Sequence, residues 1–285
     1  MNVCRFQDQD GAVRIGLMND DSTLLDLTPA GITGLHALLE SDDPCGQLNQ
    51  IASPGLPRLA LSQVRLCAPV ERQEVWAAGV TYLRSKRARM EESGFSATAY
   101  DRVYAAERPE LFFKALAEKV VTTGEAVGIR RDARWSVPEP ELALVLNSRG
   151  RIVGHTIGND MSSRDLEGEN LLYLPQAKVY ERSCALGPWL NLGAAESAAR
   201  AWTIRLAIRR QGQCVFTGQT SVGQIKRGFE ELAGFLFRCQ RFPHGALLLT
   251  GTGIVPPEGF TLQAQDVVEI EISGIGRLQN PVVVV

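Results

Sequence analysis

The chain has 285 residues, 45% hydrophobic and 22% charged, the composition of an ordinary globular protein able to bury a sizeable core. Its 30 Lys and Arg nearly balance its 32 Asp and Glu, so no net field draws in nucleic acid or an anionic membrane surface, and neither is expected as a partner. The first residues lack the basic and apolar regions of a secretory signal, and no apolar run approaches membrane-spanning length. The six cysteines form no Cys-x-x-Cys pair, so a cytoplasmic protein with reduced, mostly buried thiols is expected.

In chain order, short strands are predicted at Val3–Phe6, Val13–Leu17 and Thr23–Leu27, then a helix near Ile32–Leu39. The polar stretch with Pro44, Gly46, Pro54, Gly55 and Pro57 reads as a break in regular structure. Residues 1–68 are therefore expected to form a small N-terminal α/β domain, and 69–285 the main, catalytic one. The second part is dense in Val, Ile and Leu, with strands predicted at Leu142–Leu146, Ile152–Ile157, Trp202–Arg209, Ala246–Leu249, Val267–Ile272 and Val282–Val285. One helix is predicted over Gln224–Phe237, where Ile225, Phe229, Leu232, Phe235 and Leu236 share a face. Regular helices do not separate the strands, which favours an α+β fold with mixed, roll-like sheets over a doubly wound one.

The run from Ser136 to Asp160 reads as a hairpin with its loop at Asn147–Gly150. Residues two apart in a strand share a face, so Glu139 and Glu141 point the same way. If Leu146 pairs with Arg151, Gly158 falls opposite Glu139 and Asp160 lies diagonal to it, within reach of both. Unpaired carboxylates gathered beside an apolar strand pair repel one another and lose hydration, a cost that a cation removes. An all-oxygen set without His or Cys suits Mg²⁺ or Mn²⁺; a solvated strand face is the alternative.

From about Val75 to the C-terminus the chain resembles the fumarylacetoacetate hydrolase family. The resemblance lies in six ordered segments: Trp76–Tyr82, Arg108–Lys114, Pro138–Leu144, Gly158–Asp165, Lys178 with Ser183–Pro188, and Leu249–Gly253. It implies a fumarylacetoacetate hydrolase-like mixed β-sheet roll, usually a homodimer or homotetramer, in which Glu139, Glu141 and Asp160 ligate Mg²⁺. It makes Lys178 an active-site residue and gives the Thr250–Gly253 loop, through Thr250 and Thr252, the task of holding a substrate carboxylate. Tyr82, Arg84, Ser85 and Lys114 join these as substrate-binding candidates.

Hydrolytic members carry a His–Glu pair that activates water after the first of these segments. Here Ser85 and Ala88 stand at those positions, and none of His36, His155 and His244 replaces the pair by sequence. Glu110 instead adds a carboxylic acid, with an ion pair to Arg108 or Lys114 as its structural alternative. Together with the basic run from Tyr82 to Arg89 and with Glu167–Asn170, it is similar to the branch that dehydrates 2-keto-3-deoxy sugar acids. The implied activity is a hydro-lyase of pentose catabolism, converting a 2-keto-3-deoxy-pentonate to 2-oxoglutarate semialdehyde through a metal-stabilised enolate, with Lys178 and Glu110 as the acid–base pair. Arg84, Arg87 and Arg89 are candidates for binding the far hydroxyls. The rival readings are a C–C hydrolase or oxaloacetate decarboxylase acting on 2,4-dioxo acids, and a catalytically silent protein that binds a metal or a sugar acid.

Overall fold

A computed structural model describes residues 1–52, 55–85 and 97–285. The first strands are β1 (Asn2–Gln7), β2 (Val13–Met18), β3 (Thr23–Asp26), β4 (Arg58–Ala60) and β5 (Arg65–Cys67). They are followed by β6 (Glu74–Gly79), β7 (Glu110–Ala115), β8 (Val127–Ile129), β9 (Ser136–Val137), β10 (Pro140–Leu146), β11 (Ile152–Asp160) and β12 (Ser162–Ser163). The chain continues through β13 (Cys184–Leu192), β14 (Thr203–Arg210), β15 (Gln213–Ser221), β16 (Ala246–Leu249), β17 (Val267–Ile272) and β18 (Gly276–Val284). An 11-stranded sheet runs β4-β3-β2-β1-β13-β11-β10-β16-β6-β7 with β5 also on β1, and a five-stranded sheet runs β15-β14-β17-β18-β8. Helices are short and lie outside any regular strand–helix alternation, which makes this the expected α+β fold of mixed sheets.

The sequence of β10 explains its central place. Every residue from Pro140 to Leu146 is buried, so the strand reads as an unbroken apolar run rather than an alternating one, because both faces of the sheet are covered. Leu142, Leu144 and Leu146 pack with Ile204, Leu206 and Ile270 of the second sheet. Ala143 and Val145, on the other face, pack with Ile32, Leu35 and Leu38 from the N-terminal region. β1 pairs with β13 through Asn2↔Asn191 and Val3↔Leu190, so the large sheet continues across the boundary expected at residue 68.

Four expectations are corrected. Pro44 does not break structure: it opens a helix, Pro44–Ile51, where its missing N–H costs nothing, and Asp43 caps that helix by accepting from the Gly46 amide at 2.8 Å. The C-terminal helix spans Phe229–Phe237, starting after Gly228 rather than at Gln224, because Val222–Gln224 closes a separate 3₁₀ turn. Only Cys4 and Cys184 are buried, while Cys214 and Cys239 are exposed.

The fourth concerns the hairpin. The Asn147 side chain accepts from the amides of Arg149 and Arg151 at 3.1 and 3.0 Å, which forms the expected turn. However, Leu146 pairs with Ile152, and the register shifts between Val145 and Leu146. This bulge moves the far end of the pair, so that Glu141, not Glu139, lies opposite Gly158. The Asp160 amide then donates to the Glu139 carbonyl at 3.0 Å, bringing Asp160 beside Glu139 rather than diagonal to it.

Candidate active site

The strand directions bring chemistry to one end of the large sheet. β6 and β16 are parallel, β10 is antiparallel to both β16 and β11, and β7 is antiparallel to β6. The C-terminal ends of β6, β11 and β16 therefore meet the N-terminal ends of β7 and β10. Gly79, Glu110, Glu139, Glu141, Asp160 and the loop after β16 sit at those ends, around a narrow cleft that Ser85, Phe112, Glu167, Lys178, Gly251 and Thr252 also line. Val80, at the turn out of β6, takes a φ of 52°, a strained conformation for a β-branched residue and one concentrated at functional sites.

Glu139, Glu141 and Asp160 each offer an oxygen, and these oxygens lie within 4.8 Å of one another. All three are buried, but they are not the unpaired set expected from the sequence. Lys178 Nζ donates to Glu139 Oε2 at 2.8 Å, to Asp160 Oδ2 at 3.3 Å and to Ser162 Oγ at 2.6 Å. Arg164 Nη2 lies 3.0 Å from Glu139 Oε1, and Lys114 Nζ contacts Asp160 Oδ1. Buried cations thus match two of the carboxylates.

Glu141 is different. Among the described residues it has no ion-pair partner, and the Gly251 amide donates to its Oε2 at 2.6 Å. Burial, followed by the neighbouring Asp160 and Glu139 charges, pushes its carboxyl well above the usual carboxylate range. The cluster is therefore short of positive charge at Glu141, and its all-oxygen donors suit a hard divalent cation there. The residues present fit such an ion.

Strand periodicity sets the opposite wall. Glu110, Phe112 and Lys114 share one face of β7. Glu110 opens onto the cleft, the Phe112 ring lies 5.7 Å from Lys178 Nζ, and Lys114 runs beneath the carboxylates. Lys114 is fully buried and donates to the carbonyls of Met161, at 3.0 Å, and Lys178, so the structure places it behind the cleft as a strut. The alternative of a Lys114–Glu110 ion pair does not describe this arrangement. Arg108 stacks 5.6 Å from the Phe235 ring.

Of the other predicted residues, Ser85 and Thr252 are buried and line the cleft, whereas Arg84 is exposed. Tyr82 packs its ring against Gly253 and belongs to the core between the sheets. The Thr250 hydroxyl donates to the Leu142 carbonyl at 2.8 Å, and its own carbonyl accepts from Thr81 Oγ1 at 2.5 Å, so Thr250 anchors the loop. Gly251 needs its φ of 93° there, and a side chain on it would overlap Thr81 Oγ1. The readings at Arg87, Ala88 and Arg89 lie outside the described residues. His155 is buried between Trp202 and Phe229, and His36 lies near His244, 6.3 Å between ring centroids; none of the three lines the cleft.

Glu167 and Arg164 are not among the site residues expected from the sequence, although both fall in segments that carry the resemblance. They lie three apart on the helix Arg164–Glu169, both buried, which turns them toward the cluster together. The signal was in the sequence: an Arg and a Glu at helical spacing just after Asp160.

Residues 74–283 match the family model described as fumarylacetoacetate (FAA) hydrolase C-terminal. A Haloferax volcanii protein named "probable 2-keto-3-deoxyxylonate dehydratase" is 41% identical over 278 residues, spanning 93% of this chain and 94% of that one. The 2-dehydro-3-deoxy-D-arabinonate dehydratase of Saccharolobus solfataricus is 39% identical over 268 residues, spanning 92% and 90%. A solved structure of 2-keto-3-deoxy-D-arabinonate dehydratase complexed with magnesium and 2,5-dioxopentanoate matches with a TM-score of 0.85 at 34% identity, covering 100% of this chain and 99% of that one. The fold and the carboxylate site define a fumarylacetoacetate hydrolase-like α+β protein. The chain belongs to the fumarylacetoacetate hydrolase family.

Proposed function

We propose that this chain is a Mg²⁺-dependent hydro-lyase that removes water from a 2-keto-3-deoxy-pentonate to give 2,5-dioxopentanoate, the semialdehyde of 2-oxoglutarate. One observation carries the reading: Glu110 and Lys178 share one cleft with the Glu139–Glu141–Asp160 cluster, and by the family resemblance Ser85, which lines the same cleft, takes the place of the water-activating His of hydrolytic members. Likeness to two dehydratases at 41% and 39% identity supports it.

Glu139, Glu141 and Asp160 would hold the ion, which when bound supplies Lewis acidity at the 2-oxo group and makes the C3 protons more acidic. The chain's own residues do the rest. Glu110, an acceptor on the wall facing the cluster, takes a proton from C3. Lys178 presents three N–H donors and lies on the proton-donating side, so that the C4 hydroxyl leaves as water. The C3–C4 double bond left behind becomes a C5 enol when a proton passes from C5 to C3, and that enol tautomerises to the aldehyde. Ser85 and Glu167 bind the far hydroxyls, and Thr252 binds the carboxylate end. Tyr82 and Thr250 support this surface from behind.

The test is a turnover panel with and without EDTA, using 2-keto-3-deoxy-pentonates and 2,4-dioxo acids. Mg²⁺-dependent semialdehyde from the pentonates is expected. Pyruvate from the dioxo acids without any semialdehyde means a C–C hydrolase, and no turnover of either means a silent binding protein.

A further inference from the structure

We infer that Gly79 is a positioning residue for Glu110: by lacking a side chain it gives the Glu110 carboxylate its seat on the wall of the cleft. The inference rests on the proposed acid–base role of Glu110. Gly79 and Glu110 are directly opposed in the β6–β7 pair. Opposed side chains in an antiparallel pair normally stand next to each other, their Cβ atoms about 4.5–5.5 Å apart. Here Glu110 folds across the space its partner's Cβ would take. A Cβ on Gly79 would overlap Glu110 Oε2 and lie 2.6 Å from Cδ and 3.3 Å from Cγ.

Those three atoms are its nearest neighbours, and all belong to Glu110. A strand glycine otherwise marks a bulge or a close backbone approach. The β6–β7 register shift lies between Val75 and Trp76, three to four strand positions away, and Gly79 is not among the glycines at positive φ. Nothing in the backbone demands glycine. The carboxylate does. An alanine methyl is accommodated only by moving Glu110, and a displacement of about 1 Å at a catalytic group is enough to cost roughly 100-fold in rate.

The experiment compares Gly79→Ala, Glu110→Gln and the double variant in the Mg²⁺-loaded enzyme with 2-keto-3-deoxy-pentonate. Gly79→Ala is expected to lower kcat about 100-fold with KM changed little, and calorimetric Mg²⁺ affinity should stay as in the wild type. The limb of the kcat–pH profile that Glu110→Gln removes should be shifted or lost in Gly79→Ala as well. The double variant should be no worse than Glu110→Gln, and Gly79→Ala/Glu110→Asp should regain part of the loss because the shorter side chain clears the methyl.

Wild-type kcat in Gly79→Ala while Glu110→Gln is impaired overturns the seat alone, as do losses that multiply in the double variant. Full activity in Glu110→Gln overturns the acid–base reading, and the inference with it. Should Gly79→Ala not fold, Gly79→Ala/Glu110→Ala decides: recovered folding locates the clash at Glu110, and continued misfolding refutes it.

Discussion

Glu139 and Asp160 stand side by side across β10 and β11, tied by the Asp160 amide to the Glu139 carbonyl at 3.0 Å and bridged by the ammonium of Lys178. One bulge between Val145 and Leu146 produces this pairing. A slip of one residue turns every side chain of a strand to the other face, so the metal cluster and the sheet register are the same fact.

Glu141, which has no ion-pair partner among the described residues, carries the first prediction. Glu141→Ala should abolish activity that excess Mg²⁺ does not restore; a fully active variant refutes its place as a ligand. The metal-free wild type should also respond to pH. Folding raises the Glu141 pKa, so its contribution is intact below the ordinary carboxylate range and is lost as pH rises through the folded value. Urea titrations of metal-free protein should show Glu141→Gln losing less stability than wild type toward alkaline pH, with Mg²⁺ removing the difference. Parallel wild-type and variant curves contradict this.

Lys114 carries the second. Its fully buried ammonium holds Asp160 and the backbone of Met161 and Lys178, so Lys114→Met leaves the buried Asp160 with only the longer Lys178 contact and two buried carbonyls without their donor. A loss of about 3–5 kcal/mol in the metal-free protein is expected. Saturating Mg²⁺ should recover a larger share in the variant than in wild type, because the ion replaces the missing charge at Asp160. Wild-type urea stability in the variant shows that the strut is dispensable.

His155 carries the third. It is buried against Trp202 and Phe229, with ring centroids 5.5 and 6.0 Å away, and burial pulls its pKa down to about 4. The unfolded imidazole titrates near 6.5, so its contribution is intact above about pH 6.5 and lost as pH falls toward 4, about 3 kcal/mol in all. His155→Leu should flatten the acid limb of stability between those values. An unchanged limb, read by urea unfolding at several pH values, contradicts the assignment.

The sequence disclosed what depends on short-range periodicity. Strand alternation put Glu139 and Glu141 on one face, and the Asn147–Gly150 turn brought Asp160 back toward them. Lys178 entered through family resemblance, since nothing in the spacing of an isolated lysine separates a buried one from a solvated one. The helix at Pro44 is legible in principle, since an Asp cap followed by proline at the first helical position is a start signal, but the same prolines and glycines also fit a break in regular structure. The bulge, the buried course of Lys114 and the positive φ of Val80 depend on partners distant in sequence. No local pattern encodes them.

The central claim is loss of water from a 2-keto-3-deoxy-pentonate in this cleft. Proton NMR of that substrate with the Mg²⁺-loaded protein in D₂O tests it most directly. The account predicts loss of the C3 proton signals together with growth of the aldehyde of 2,5-dioxopentanoate, both abolished by EDTA and by Glu141→Ala. Release of a three-carbon acid, or an aldehyde signal indifferent to the metal, would contradict it.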